Sequence, residues 1–302
     1  MDTKDNILNI AKKDYNEELV LIDTNAINQM IWPDNASHLP TWDWIINQEM
    51  KTCPNPNGAL MFWLLGVAQA FMFWERLPDG TIKRYIFNDH SGTNALFTAL
   101  ANTWGDGLTP KCLRHQQINR ALFTQWFGRV PGIDDRVEIM NEMLIGQKLE
   151  HAVDYFIHQA KTGTLNIDDA LWLSNEFPKS FGGDAYLKKA QLYCTAVAGF
   201  LSTKDIHVKT DLTAMADYQV PRVLKAMGIL HYSPSLDSLI NAGDLLLAGS
   251  KEERAIRAAT VLACESISSV HGIESAVVDS VLWASQDLAG DSRFHLTLTA
   301  NY

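Results

Sequence analysis

The 302-residue chain is 47% hydrophobic and 10% aromatic, which excludes a disordered or low-complexity protein and is enough to bury a sizeable core. A formal net charge of −10 opposes non-specific binding to nucleic-acid backbones, which takes clustered Lys and Arg to displace counterions. Cys53, Cys112, Cys194 and Cys264 form neither a CxxC pair nor a metal-ligand pattern with histidine, so reduced, buried thiols are expected, and no metal.

Residues 1–18 read as a polar, partly helical leader carrying the acids that signal and transit peptides avoid. Residues 19–23 begin the folded part, and Thr24 is placed to cap a short helix ending near Ile31. The prolines and glycine of residues 54–58 read as a loop. The apolar run 59–74, interrupted by Gln69, falls short of a membrane span and reads as core. Pro78-Asp79-Gly80, set between that run and the alternating residues 81–87, is a hairpin signal, and residues 69–90 are expected to hold the clear β-structure. Helical spacing then dominates, through 109–127, 134–157, 168–173, 186–201, 235–242, 250–268 and 274–288. With no repeat or linker, the expectation is a mainly α protein, a single mostly helical domain over 19–302, its helices free to group as two lobes around a cleft.

Residues 210–233 are the densest stretch. Pro221 fixes φ and lacks an N–H, which suits a first helical turn, and Gly228 is placed to end a short helix over 221–227. Asp217 precedes that start, where orphan amides favour negative charge, as either a structural cap or a site carboxylate.

The run ADYQVPRVLKAMGILHYS at 216–233 resembles the ADYRxPQxLxxxGxLxYS signature of the queuosine salvage proteins. FMFWE at 71–75, RVEIMNE at 136–142, KKAQ at 188–191 and the ending LWASQDLAGDSRFHLTLTANY at 282–302 follow the same family's order, so the resemblance spans roughly residues 20–302. It implies a fold similar to the helix-hairpin-helix DNA glycosylases and hydrolysis of the N-glycosidic bond of queuosine 5′-monophosphate, or a related nucleotide, to release queuine for tRNA modification. It implies no cofactor.

Under that resemblance Asp217 stabilises the oxocarbenium-like sugar and orients water, and Lys188 holds a 5′-phosphate or aids departure of the base. Phe71, Phe73 and Trp74 grip the base, with strand alternation setting Trp74 opposite the two phenylalanines. Tyr218 is a candidate for a ribose hydroxyl, Trp283 for the substrate, and His295 for a phosphate. The bland alternatives are a capping Asp217, a solvated Lys188-Lys189 turn and core aromatics. Glu142 and Glu265 are expected to pair with Arg136 or Arg257.

The chain departs from the family's pattern at four polar or aromatic positions, where it carries Val67, Ala70, Asn94 and Ala284, with Gln69, Asn88 and Asn94 as candidate substitutes. An Arg–Gln exchange gives Gln219 and Arg222, one helical turn apart, keeping a charge near the same place. Recognition of another base therefore stays open. So do a glycosylase on damaged bases in DNA or RNA and a non-catalytic nucleoside-binding protein. The partner expected is a small nucleotide or nucleoside in the cytoplasm, not a nucleic-acid polymer or a membrane.

Overall fold

The computed structural model describes residues 3–33, 56–105 and 117–302. The apolar periodicity carries over into thirteen α-helices among these residues, joined by ten strands of only two or three residues each. The first half holds α1 Thr3–Asp14, α2 Thr24–Gln29, α3 Pro56–Ala68, α4 Gly92–Gly105, α5 Arg120–Phe127, α6 Ile133–Met143 and α7 Lys148–Ala160. The second half holds α8 Ile167–Glu176, α9 Lys188–Ser202, α10 Val220–Ala226, α11 Pro234–Ala242, α12 Lys251–His271 and α13 Ser275–Ala284. The protein is mainly α, as its spacing predicts. Cys53, Cys112 and the start of the helical pattern at 109–127 lie outside the described residues.

Several local expectations change. The segment expected as a solvated leader is α1, whose Ile7 and Ala11 are buried and which packs against α12. Asp5, Lys12 and Lys13 are exposed, while Lys4 and Asp14 pair with Glu265 and Arg254 of α12, so a polar composition conceals a docked amphipathic helix. Asp23, not Thr24, caps α2 and accepts the amide N–H groups of Asn25 and Ala26. Pro56 opens α3 instead of belonging to a loop, in the first-turn position that loses nothing by lacking an N–H. The single helix expected over 274–288 breaks into α13 and a 3-10 turn at Gln286–Ala289.

The Pro-Asp-Gly turn does close a hairpin, β2 Trp74–Arg76 antiparallel to β3 Ile82–Arg84, followed by the small pair β4 Ile86–Phe87 and β5 His90–Ser91. Three further pairs lie outside 69–90. These are β1 Val20–Ile22 with β8 Leu230–Tyr232, β6 Thr164–Asn166 with β7 Lys209–Asp211, and β9 Leu245–Leu246 with β10 Leu296–Thr297. Each joins segments far apart in the chain or too short for an alternating pattern, which is why periodicity does not show them.

Two hydrophobic cores form. The larger packs α3, α4, α7, α8 and α9, and the smaller packs α10, α12 and α13. No single helix among the described residues is long and apolar enough to cross a membrane. At the centre of the larger core, Gly66 on α3 lets the Phe97 ring of α4 lie where a Cβ would stand 2.2 Å from it. Phe97 in turn packs on Trp63, with ring centroids 4.8 Å apart. Gly66→Ala should cost about 1–3 kcal/mol by overpacking, read as a lower midpoint in chemical denaturation. An unchanged midpoint would mean that Phe97 moves aside freely.

Candidate active site

Residues 212–218 run through the interior without regular structure, so their backbone polar groups must be satisfied by side chains. Thr213 N–H donates to Gln191 Oε1 at 2.8 Å, and Met215 N–H donates to Asp279 Oδ1 at 2.9 Å. The Ala216 carbonyl accepts from Arg257 Nε at 3.0 Å. Arg257 also pairs with Asp184, Nη1 to Oδ1 at 2.8 Å and Nη2 to Oδ2 at 2.9 Å. Asp184 closes the frame by accepting the Lys188 amide at 2.8 Å, at the start of α9. Burial alone would push the Asp184 carboxyl up, but Arg257 and the amide donors more than offset this and hold it below its ordinary value.

This frame brings Asp217, Lys188 and Asp279 to one cavity of about 640 Å³. Asp217 accepts from the amides of Gln219 (2.7 Å) and Val220 (3.0 Å) through Oδ1 alone. The capping reading therefore holds, with one oxygen fixing the start of α10, and no donor among the described residues engages the other. The solvated-turn reading of the lysines fails, since both are buried. Lys188 lines the cavity, while Lys189 donates to the Ala68 carbonyl at 3.0 Å and lies 4.9 Å from the Phe71 ring centre. Burial lowers the Lys188 pKa, with Asp217, Asp279 and Asp184 partly restoring it. Asp279 moves the other way, pushed well above the carboxylate range by burial and then by Asp217. The floor thus holds two carboxyl groups in different environments beside one lysine, an arrangement that separates an acid role from a base role.

Aromatic side chains wall the cavity. Phe71, Phe73 and Trp74 all line it, together with Trp283, Phe97 and Phe294. The expected alternation does not apply, because β2 begins only at Trp74 and Met72 has φ +39°. A turn delivers all three rings to the same side. Arg136 holds that turn: its guanidinium donates to the carbonyls of Gln69, Phe71, Met72 (3.3 Å) and Pro131 (2.7 Å), with its centre 4.1 Å from the Phe71 ring. Four carbonyls replace the carboxylate expected as its partner, and burial lowers its pKa to about 9.

Comparison with known proteins bears on this constellation. The sequence profile of the queuosine salvage protein family matches residues 53–302. The chain belongs to that family. A queuosine 5′-phosphate N-glycosylase/hydrolase of Sphaerobacter thermophilus is 31% identical, with 94% of each chain covered. Proteins of the same name are 27% identical in Dictyostelium discoideum, over 90% of this chain and 86% of the relative, and 30% identical in Mus musculus, over 70% and 69%.

Against the family's pattern, all four departures line the cavity: Val67 and Ala70 are buried in its wall, and Asn94 and Ala284 are exposed at its rim. Of the candidate substitutes only Asn94 is there. Gln69 donates to the Arg136 carbonyl at 3.1 Å, and Asn88 sits in the β4–β5 turn. Tyr218 lines the cavity with its ring 4.7 Å from that of Phe294, and its hydroxyl hydrogen-bonds the Phe73 backbone.

Two candidate substrate residues stand outside the cavity lining. Arg222 donates to Gln219 Oε1 (3.0 Å) and to the Gly290 carbonyl (2.8 Å), so it supports the site from behind. His295 is buried behind Tyr302, its Nε2 lying 3.4 Å from the tyrosine hydroxyl, and burial drives its pKa to about 3. A neutral, enclosed imidazole does not meet a phosphate. The expected pairs of Glu142 and Glu265 also change. Glu142 accepts from the Lys179 and Ser180 amides and the Ser180 hydroxyl, while Glu265 faces Lys4 at 3.9 Å.

Asp279 escapes sequence reading. Its signal is slight: one acid inside the apolar run SAVVDSVLWA, four residues before Trp283 and hence on the same helical face.

Arg257→Met should destabilise the fold by about 3–5 kcal/mol, because it leaves Asp184 buried without its counter-charge; denaturant unfolding checks this. Because His295 binds its proton only near pH 3 when folded but near 6.5 when unfolded, the unfolded state holds more protons between those values. Its contribution to stability is therefore lost as pH falls through that window, and NMR titration should show a neutral ring above about pH 4.

Proposed function

We propose that this protein hydrolyses the N-glycosidic bond of queuosine 5′-monophosphate, releasing queuine for reuse in tRNA modification and leaving ribose 5-phosphate. The observation that carries the reading is the floor of the cavity: two carboxyl groups and a lysine, enclosed by rings that suit a flat heterocycle, in a chain of the queuosine salvage family.

The bond between the anomeric carbon and the base nitrogen breaks with its electrons leaving on the base. The oxocarbenium-like sugar so formed is stabilised by the Asp217 carboxylate, whose free oxygen also takes a proton from the attacking water. Asp279, protonated through burial beside Asp217, gives its proton to the departing base, and the water's proton restores it. Lys188, near enough to both acids for their charge to act on it, offsets the negative charge of the floor. Phe73, Trp74 and Trp283 hold the base by stacking, worth on the order of 1–3 kcal/mol per ring. No organic cofactor or metal enters these steps.

The likeness to helix-hairpin-helix DNA glycosylases and a single domain of two lobes belong to the same proposal. Two cores that meet at an acid-and-lysine cavity support them. Action on a free nucleotide is supported by the acidic balance of the chain, and a cytoplasmic location by the free buried thiols of Cys194 and Cys264. A second reading, a related nucleotide carrying a different base, is favoured by the four altered positions around the cavity.

Base release followed by mass spectrometry, with queuosine 5′-monophosphate and a panel of ordinary nucleotides, decides between the two. Asp217→Asn should lose about 10²–10⁴-fold in kcat. Turnover of a different nucleotide alone would select the second reading, and no turnover of any would remove both. Asp279→Asn should lose the acid as well, and with it a feature of the pH profile. Because the raised pKa keeps the group protonated at low pH, wild-type activity falls as pH rises through it, whereas the variant's weaker activity does not show that limb.

A further inference from the structure

Tyr302 lines the cavity, is only 3% exposed, and takes no part in the steps proposed above. Its hydroxyl, ring and carbonyl reach three different parts of the molecule. The hydroxyl donates to Glu253 Oε1 on α12 at 2.8 Å. The ring centre lies 4.4 Å from the guanidinium carbon of Arg257. The backbone carbonyl accepts the Met72 amide at 3.1 Å, in the turn that carries Phe71 and Phe73. One residue thus touches both the support of the floor and the support of the aromatic wall.

Arg257 needs what the ring supplies. Its hydrogen bonds to the Ala216 carbonyl and to Asp184 run in the guanidinium plane, where all its N–H groups point, and they leave the faces of the group uncovered. Tyr302 and Tyr186, the latter with its ring centre 4.8 Å away, provide that cover. An aromatic face attracts the cation and keeps out the water that would compete for its N–H groups. Both rings are themselves tethered. The Tyr186 hydroxyl donates to Asp14 Oδ2 at 3.2 Å, and the Glu253 that holds the Tyr302 hydroxyl accepts the Gly249 amide at 3.1 Å through its other oxygen. Glu253 Oε1 also lies 3.5 Å from Arg257 Nη1, so the carboxylate and the ring it anchors meet the same cation.

We propose that Tyr302 is a positioning residue for base release: its ring holds Arg257 in the orientation that meets Ala216 and Asp184, and through them sets Asp217 and Lys188, while its carbonyl keeps the aromatic turn in register with that floor. The inference rests on the reaction proposed above. The contributions of side chain and backbone separate. A substitution at 302 leaves the carbonyl that accepts from Met72, so the wall that holds the base stays in place. Only the floor loosens, because Ala216 and the Lys188 amide depend on Arg257 and its partner Asp184. Tyr302 therefore acts on the rate of bond breaking, not on binding.

Turnover of queuosine 5′-monophosphate is measured for the wild type, Tyr302→Leu, Tyr302→Phe, and Tyr302→Phe with a fluorinated ring, which keeps the shape of phenylalanine but weakens its attraction for a cation. Tyr302→Leu should lose about tenfold or more in kcat with KM changed by less than about twofold. Tyr302→Phe should keep about a third or more of the wild-type kcat, and fluorination should lower it a further threefold or so. The fluorinated ring carries the test alone if Tyr302→Leu does not fold. A kcat for Tyr302→Leu equal to that of the wild type, an effect confined to KM, or a fluorinated ring as active as the plain one overturns the proposal. Amide exchange read by mass spectrometry needs no substrate. In Tyr302→Leu it should quicken over residues 184–191 and 212–219 and stay as in the wild type in α5; unchanged exchange in all three segments overturns the proposal. If the wild type releases no base while exchange quickens in this pattern, the queuosine reading falls and the hold of Tyr302 on Arg257 stands.

Discussion

The site depends on one buried ion pair. Arg257 and Asp184 lie 73 residues apart in sequence, and between them they touch both segments that carry the proposed catalytic groups. Arg257 holds the Ala216 carbonyl, one residue before Asp217, while Asp184 holds the amide of Lys188. A buried pair of this kind contributes little net stability, since desolvation consumes most of its Coulombic gain. What it supplies is geometry. All three Arg257 nitrogens donate and both Asp184 oxygens accept, which fixes the loop at 212–218 relative to the start of α9. Gln191 reinforces this by accepting from Thr213 N–H and donating to the Tyr186 carbonyl.

The same chemistry recurs at Arg136, whose guanidinium pairs with no carboxylate among the described residues. Its guanidinium is satisfied by carbonyls of the turn that carries Phe71 and Phe73 into the cavity. Burying an unpaired guanidinium is costly, and the depressed pKa of the group reflects that cost. The turn at Gln69–Phe73 has no strand or helix ladder of its own to satisfy its carbonyls. A rigid five-donor side chain does so, and in return fixes the direction of two aromatic walls. Two arginines thus set the two halves of the site, one through a carboxylate and the other through backbone oxygens.

The floor of the cavity is the opposite case, a place where charges are left under tension. Lys188, Asp217 and Asp279 share a small enclosed volume, and the shifts of Lys188 and Asp279 run in the directions that reduce buried charge. That is expensive for folding and useful for the proposed chemistry, because a carboxyl whose protonated form is favoured by burial is poised to act as an acid. The aromatic rings contribute twice. They stack on a flat ligand, and they exclude the water that would otherwise relieve these shifts.

Much of this was legible in the chain. Helical periodicity placed most helices, the Pro-Asp-Gly turn placed the hairpin, and Pro221 with Asp217 marked a capped helix start, since each signal is local. Family resemblance carried Lys188 and the aromatic element. What periodicity could not show was the choice of partner: that Arg136 takes carbonyls instead of Glu142, and that His295 is enclosed behind Tyr302. The position of Asp279 belongs to the same group, because an acid in an apolar helix reaches the cavity only when that helix is laid against Asp217 and Lys188. The sequence by itself determined most of the helices and the capped start of α10, for these follow from spacings within a few residues. The tertiary structure alone decided which charges are paired, buried or free, because desolvation and Coulombic energy depend on distances between residues that are remote along the chain.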